Sequence, residues 1–458
     1  MLVTFRNIGP LKEAKVDLND NLIVICGKNN TGKTYLAYSV YGLYRLGRMR
    51  QGVMVFPNNA IEQLLSSGTA EINLNDFFRE NDNFFLILAL SLRGALPNIF
   101  ATSPKSFVFS DAEIDISVEN DFDYTKILSD KQINQTLSVG PYKLTLTKSR
   151  DSLILHALLV KEQNSPNNVL SEFAFKNLED AINLTIFDYI SYSIFNRVYV
   201  SPAERSSISL FSKELSIKRN NIVDNLISSA NEDQFIEKDL IKNIGRYSLP
   251  IRESIAISED LLNIKKRSSN FDFLAKILET EIMGGSLELT SEGEVRFFPT
   301  KNQRYISIHM TASIVKSLAS LVFYFRHLAQ ENDFIIIDEP ELNLHPDNQR
   351  KIARFLGRVV NAGFKVMIST HSDYIIREIN NLVMLHNESD KAHQLMEELG
   401  YHKEEILDKK TVGAYIVKEN GICTSLDVTD TGFDVASIDE EINNLNETSE
   451  KIYYTLYG

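Results

Sequence analysis

Four stretches of the chain carry apolar residues with little or no alternation, and each stops abruptly. Leu22-Ile23-Val24-Ile25-Cys26 ends at Gly27, and Val198-Tyr199-Val200 ends at Ser201-Pro202. Phe334-Ile335-Ile336-Ile337 runs into Asp338-Glu339, and Phe364-Lys365-Val366-Met367-Ile368 runs into Ser369-Thr370-His371. Unbroken runs of this kind mark strands buried on both faces, as in a parallel sheet. Residues 2–8 read as a further strand. Between the strands lie helical patterns. Residues 35–46 are helix-compatible, and Ile314, Leu318, Leu321, Phe325 and Leu328 fall at i, i+4, i+7, i+11 and i+14 on one stripe. Pro346 suits a first helical turn, with Ile352, Phe355, Leu356 and Val359 following and a stop predicted before Gly363. Strands alternating with helices predict an α/β fold with a mostly parallel core sheet.

The pattern changes between 51 and 183. Polar and apolar residues partly alternate over 105–118 and 142–160, with turn residues Asn120-Asp121, Gly140-Pro141 and Ser165-Pro166 between them. This predicts a β-rich insertion, with helices near 59–65 and 76–93. Residues 207–283 read as a helical insertion, in which Ile222 and Leu226 share a face. The core is therefore discontinuous: 1–50, 184–206 and 284–385. A hairpin is predicted over 286–290 and 294–298, and Thr311 is suited to cap the helix that follows. The remainder, 386–458, reads as a helix-hairpin-helix extension. Glu419-Asn420-Gly421 forms its turn, and Ile438, Ile442, Leu445, Ile452 and Leu456 make a stripe expected to pack on its own domain.

Composition adds limits. At 458 residues the chain can bury a sizeable core, and 43% hydrophobic with 24% charged residues is the balance of an ordered soluble protein. A net charge of -13 argues against wrapping nucleic acid with the whole surface. The denser basic spots, Lys213, Lys218 and Arg219, then Lys265, Lys266 and Arg267, are either solvated helix faces or local nucleic-acid contacts. The longest apolar run, 84–90, falls far short of the roughly 20 residues that span a bilayer. With two distant cysteines, no basic-then-apolar leader and no predicted membrane segment, the expected location is the cytoplasm.

The chemistry begins where the first core strand stops. Gly27-Lys28-Asn29-Asn30-Thr31-Gly32-Lys33-Thr34 fits G-x-x-x-x-G-K-T between a strand and a helix. The glycines let backbone N–H groups turn toward phosphate, and the helix N-terminus adds its dipole. Lys33 would meet the β- and γ-phosphates, and Thr34 would ligate Mg²⁺. Asp338 and Glu339 are adjacent on an extended segment, so their side chains diverge and serve different atoms. A second strand delivers His371 to the same edge. Ser201-Pro202-Ala203-Glu204-Arg205 reads either as an active-site loop or as a surface Glu–Arg pair. The start of the helix after Thr311 can cap itself or aim hydroxyls at an anion.

With these residues in place, the chain resembles the ABC-type ATPase heads of the SMC, RecF and OLD group. It resembles more closely the stand-alone "AAA family" ATPases of bacterial anti-phage systems. The motifs that carry this are G-K-N-N-T-G-K-T at 27–34, I-I-I-D-E-P-E-L-N-L-H-P at 335–346 and I-S-T-H-S at 368–372. The resemblance implies a P-loop fold of the ABC-ATPase-head type, binding ATP through Gly27, Asn29, Asn30, Thr31, Gly32, Lys33 and Thr34. It implies Mg²⁺ at Thr34 and Asp338, Glu339 on the attacking water, and His371 on the γ-phosphate. Where the family carries a Q-loop glutamine this chain has none, and Glu204 is the candidate substitute near the metal. Where family heads carry L-S-G-G-Q, this chain has M-T-A-S-I at 310–314, which leaves Thr311 and Ser313 as candidates for contact with the partner's nucleotide. Asn343 to His345 match the loop that crosses the dimer interface. The resemblance implies a slow, head-to-head dimeric ATPase that controls a separate effector, a nuclease or toxin. OLD-type proteins continue into a TOPRIM nuclease domain; here the residues after 385 offer no such carboxylate cluster on a second α/β unit, so none is expected. A nucleotide-gated scaffold and a RecF-like DNA-repair ATPase are the alternatives.

Overall fold

The computed structural model describes residues 1–48, 58–74, 84–102, 109–117, 129, 132–139, 142–161, 172–211, 247–301 and 304–457. The three turn dipeptides between 120 and 166, Lys213, Lys218, Arg219, Ile222 and Leu226 lie outside these residues. The chain divides into two compact units. The strands are, in order, β1 (Leu2–Ile8), β2 (Leu11–Asp17), β3 (Leu22–Cys26), β4 (Thr69–Asn73), β5 (Glu113–Ser117), β6 (Ile133–Val139), β7 (Tyr142–Lys148), β8 (Ile154–Lys161), β9 (Val198–Ser201), β10 (Gly285–Leu289), β11 (Val295–Pro299), β12 (Ile306–Ser307), β13 (Phe334–Asp338), β14 (Lys365–Thr370), β15 (Val412–Val417) and β16 (Ile422–Leu426).

One unit comprises 1–2, 43–94 and 114–197. It holds a four-stranded antiparallel sheet in the order β4-β8-β7-β6. Leu155 and Ala157 of β8, with Leu144 and Leu146 of β7, are buried, while Ile154, Leu158 and Val160 are exposed. That is the period-2 pattern of a sheet with one face on a core.

The other unit comprises 3–42, 95–113 and 198–458. Its central sheet runs β1-β2-β16-β15-β3-β14-β13-β9. Strands β15, β3, β14, β13 and β9 are mutually parallel in that order. Every residue of β3 and β13 is buried, as their unbroken apolar runs require. Register then aligns the strand ends: Thr370 pairs with Cys26, Asp338 with Ser369, and Ile337 with Ser201. The loops that follow all leave from one edge of the sheet.

The helix Lys33–Gly47 follows β3, and Pro346–Asn361 buries Ile352, Phe355, Leu356 and Val359, the predicted stripe. In the helix Ser313–Phe323 and the wider turn Tyr324–Leu328, Leu318, Leu321 and Phe325 are buried. Its start differs from expectation. Ala312 holds the cap position, and the Thr311 hydroxyl instead donates to Ile308 O at 2.7 Å, because the 3₁₀ turn Ile308–Met310 offers a nearer carbonyl.

Two differences concern the tail. The predicted hairpin belongs to the central sheet: β15 lies parallel to β3, with Ala414 opposite Val24. Its buried face, Val412-Gly413-Ala414-Tyr415, gives the reason, since an isolated hairpin could not cover it. The helix Ala436–Tyr457 departs in the opposite sense. Residues 444–457 are all exposed, Leu445 at 66%, Ile452 at 55% and Leu456 at 67%, so that part of the expected stripe packs on nothing among the described residues. Periodicity identified an amphipathic helix but not what covers it.

Candidate functional site

The loop between β3 and its helix is held by its own side chains. Gly27 has φ +145° and Gly32 φ +110°, conformations that favour glycine. At Gly27 space forbids a side chain as well, because a Cβ would lie 2.5 Å from Val417 O. Thr31 Oγ1 donates to Lys28 O at 2.9 Å. Lys33 Nζ donates to Gly27 O at 2.9 Å and Lys28 O at 2.8 Å, which leaves one of its three donors for a ligand. Burial pulls the Lys33 ammonium below its ordinary range, and the negative charges of Glu339, Asp338 and Glu341 oppose that shift. Asn29 and Asn30 are exposed on the loop, Asn30 at φ +65°.

Thr34, in the first turn of the helix, joins this loop to the end of β13. Its hydroxyl lies 2.9 Å from Asp338 Oδ2 and 3.2 Å from Oδ1. Ser369, directly opposite on β14, donates its hydroxyl to Oδ1 as well. Burial raises the Asp338 carboxyl above its usual range, the two hydroxyls hold it down, and the charges of Glu339 and Glu204 add to the rise. The structure thus brings Lys33, Thr34 and Asp338 together at one edge of the sheet.

Glu339 follows at φ +49°, a left-handed backbone rare for a side chain with a Cβ. The conformation is held from two sides. Glu339 N donates to Ser369 O at 3.0 Å, and Arg205 donates to Glu339 O at 2.7 Å and Asp338 O at 2.7 Å. Arg205 is 2% exposed, so the surface-pair reading of Glu204-Arg205 does not hold. Its burial lowers the guanidinium pKa, and Asp338, Glu341 and Glu339 oppose this. Glu204 itself is exposed at the start of the helical turn, with its charge close enough to act on Asp338.

His371 comes to the same edge. Its Nδ1 lies 3.8 Å from Glu339 Oε1 and 3.1 Å from Glu341 Oε1. Glu341 was not among the candidate residues. It sits in the tight turn beyond Asp338, and the only sequence signal was a second acid so close to the pair. Thr311 and Ser313 are not hydrogen-bonded to the P-loop cluster. The Asn343 backbone is left-handed at φ +64°, and His345 caps the following helix by accepting from Asp347 N at 3.3 Å.

The oxygens of Thr34 and Asp338 are hard donors on a helix N-terminus and a strand end, a set that fits Mg²⁺. Mg²⁺ takes one or two carboxylates and completes its shell with phosphates and water. No cluster of three or more His, Cys, Asp or Glu able to hold a metal occurs among the described residues. No described helix is long and apolar enough to cross a membrane.

The family described as AAA ATPase domain matches residues 1–376. No curated protein matches the chain. Among solved structures, the Smc head domain with an extended coiled coil bound to the C-terminal domain of ScpA, from Pyrococcus furiosus, is similar. The identity is 13% and the TM-score 0.31, over 98% of each chain. The SMC head domain from Thermotoga maritima is similar at 10% identity and a TM-score of 0.30, over 93% of this chain and 98% of that one.

Proposed function

The chain belongs to this AAA ATPase family, and we propose that it hydrolyses Mg-ATP slowly as a head-to-head pair whose nucleotide state controls a separate effector. One observation carries the catalytic part. Thr34 and Asp338 are hydrogen-bonded at 2.9 Å, and this joins the phosphate loop to the strand whose next residue, Glu339, has a carboxylate free of hydrogen bonds among the described residues.

In this reading Gly27, Asn29, Asn30, Thr31 and Gly32 wrap the phosphates with backbone N–H groups, and Lys33 adds its remaining donor. Thr34 and Asp338 would hold Mg²⁺, which when bound neutralises charge on the phosphate oxygens. Glu339 accepts the proton of the attacking water, and His371 contacts the transferred phosphoryl group. Thr311, Ser313 and the turn at Asn343 to His345 meet the second copy, and Glu204 supports the metal side. An effector nuclease or toxin in anti-phage defence is the biological setting that the motif resemblance supports.

Phosphate release by the purified full chain tests this. Glu339→Gln should lower kcat by about 10²-fold to 10⁴-fold, the usual contribution of a positioned base, and leave ATP affinity within about threefold. Lys33→Ala should abolish ATP binding. Equal release by wild type and Glu339→Gln would refute the catalytic reading. A monomeric mass for Glu339→Gln at saturating Mg-ATP in sedimentation would refute the pairing.

A further inference from the structure

Glu341 is a costly residue in its position. Its side chain is 5% exposed, Oε2 has no hydrogen-bond partner among the described residues, and His371 is its one ionic partner there. Burying a carboxylate costs several kcal/mol unless hydrogen bonds offset it. Glu341 Oε1 faces His371 twice, accepting its backbone N–H at 2.8 Å and lying 3.1 Å from Nδ1.

We infer that Glu341 is a positioning residue: it fixes the ring of His371 with the proton on Nδ1 and so keeps that ring off Glu339. The first half follows from chemistry. A carboxylate only accepts, so a neutral ring that holds Nδ1 at 3.1 Å from Glu341 Oε1 carries its hydrogen on Nδ1, which leaves Nε2 as the acceptor nitrogen for other partners. The second half follows from distance. Glu339 Oε1 is 3.8 Å from the same Nδ1, beyond hydrogen-bond range, and its carboxylate accepts no hydrogen bond among the described residues. Glu341 wins the histidine by 0.7 Å, the difference between 3.8 and 3.1 Å. Without that competitor the ring is free to donate to Glu339 and occupy the lone pair that would take the proton of water. The turn makes the competition local: Leu342 N bonds Glu339 O at 3.0 Å and Leu344 N bonds Glu341 O at 3.0 Å, so both acids are set by one short segment.

This rests on the ATPase reading, and the test separates the two. Glu341→Met removes the acceptor at similar length, and Glu341→Gln restores a neutral one. Steady-state turnover of the full chain should show kcat down about 10-fold to 100-fold in Glu341→Met, the range known for residues that orient a functional histidine, with KM for ATP within about threefold. Glu341→Gln should recover most of that loss. In a His371→Ala background Glu341→Met should cost nothing further. Long-range ¹H–¹⁵N spectra of the histidine rings, assigned with His371→Asn, should give the Nδ1–H tautomer for His371 in wild type and lose it in Glu341→Met. Additive losses, equal losses in the Met and Gln variants, or an Nε2–H tautomer in wild type would overturn the inference. Wild type that releases no phosphate while keeping the Nδ1–H tautomer would overturn the ATPase reading and leave the Glu341–His371 arrangement standing.

Discussion

Replacing Arg205 tests the support beneath the two acids. Its guanidinium donates to Pro202 O at 3.2 Å and to Asp338 O and Glu339 O at 2.7 Å each. Bonds from a charged donor are worth about 1.5–3 kcal/mol each, the long one least, which gives about 4–6 kcal/mol for the set. Two terms reduce that figure. Removing a buried cation returns desolvation energy of about 1–3 kcal/mol, and Glu339 O keeps the Leu342 N–H in its place. Arg205→Met should therefore destabilise this unit by about 2–4 kcal/mol. Arg205→Lys should recover little, because a single ammonium cannot reproduce the planar fork that spans two successive carbonyls. Urea denaturation followed by tyrosine emission suits a chain with 18 Tyr and no Trp. A loss under about 0.5 kcal/mol in Arg205→Met, well below the bond estimate, would refute the reasoning, and so would a lysine variant as stable as wild type.

Two further outcomes follow from the same geometry. Asp338→Asn keeps the hydrogen-bonding shape toward Thr34 and Ser369 but removes the charge, so the Mg²⁺ concentration giving half-maximal turnover should rise at least about tenfold; an unchanged magnesium titration would remove Asp338 from the metal site. Asp20, raised to about 6 by burial and by Asp17, holds its proton more tightly folded than unfolded, so its contribution is full below about pH 4 and is lost as pH rises through about 6. Its partial exposure limits the effect to about 1 kcal/mol, and Asp20→Asn should flatten the thermal midpoint across that window. Lys365, which burial lowers to about 8, acts in reverse, its penalty present below about 8 and relieved toward its ordinary value.

The sequence made the core strands and the phosphate loop readable because their patterns are local. Unbroken apolar runs at 22–26 and 334–337 can be only doubly buried segments, and the glycine spacing of 27–34 admits few other uses. Asp338, Glu339 and His371 stand out as candidates because each lies at or just after the end of a strand. What escaped depended on contacts between distant segments. Arg205 and Glu204 are adjacent and opposite in charge, so their spacing alone leaves an active-site loop and a surface pair equally open. Only the register of β9 beside β13 turns one toward the carbonyls of 338 and 339. Glu341 carries no signal of its own in the sequence beyond its closeness to the pair, and only the end of β14 brings His371 against it. The terminal helix is the converse case, since its stripe is real and its covering surface cannot be read from its own residues.

The hairpin of β15 and β16 extends this argument to the limits of the family match. That match ends at 376, yet β15 lies directly against β3, the strand that launches the phosphate loop. The contact reaches the loop itself. Val417 O occupies the space a side chain at Gly27 would need, and Lys28 Nζ meets Glu419 Oε1 at 3.0 Å. The Gly421 carbonyl, in the same turn, accepts from Lys12 N at 2.8 Å. The Lys28–Glu419 pair is exposed and adds little stability, so what matters is position. A phosphate loop works through backbone N–H groups whose directions must be set before the ligand arrives. Here one wall of that setting is built from residues 412–422, far along the chain from the motif they support. Gly27 is thus constrained twice, by its own φ and by a carbonyl from the tail. The glycine of the motif and the hairpin that abuts it form one structural unit, although only the first is visible as a motif.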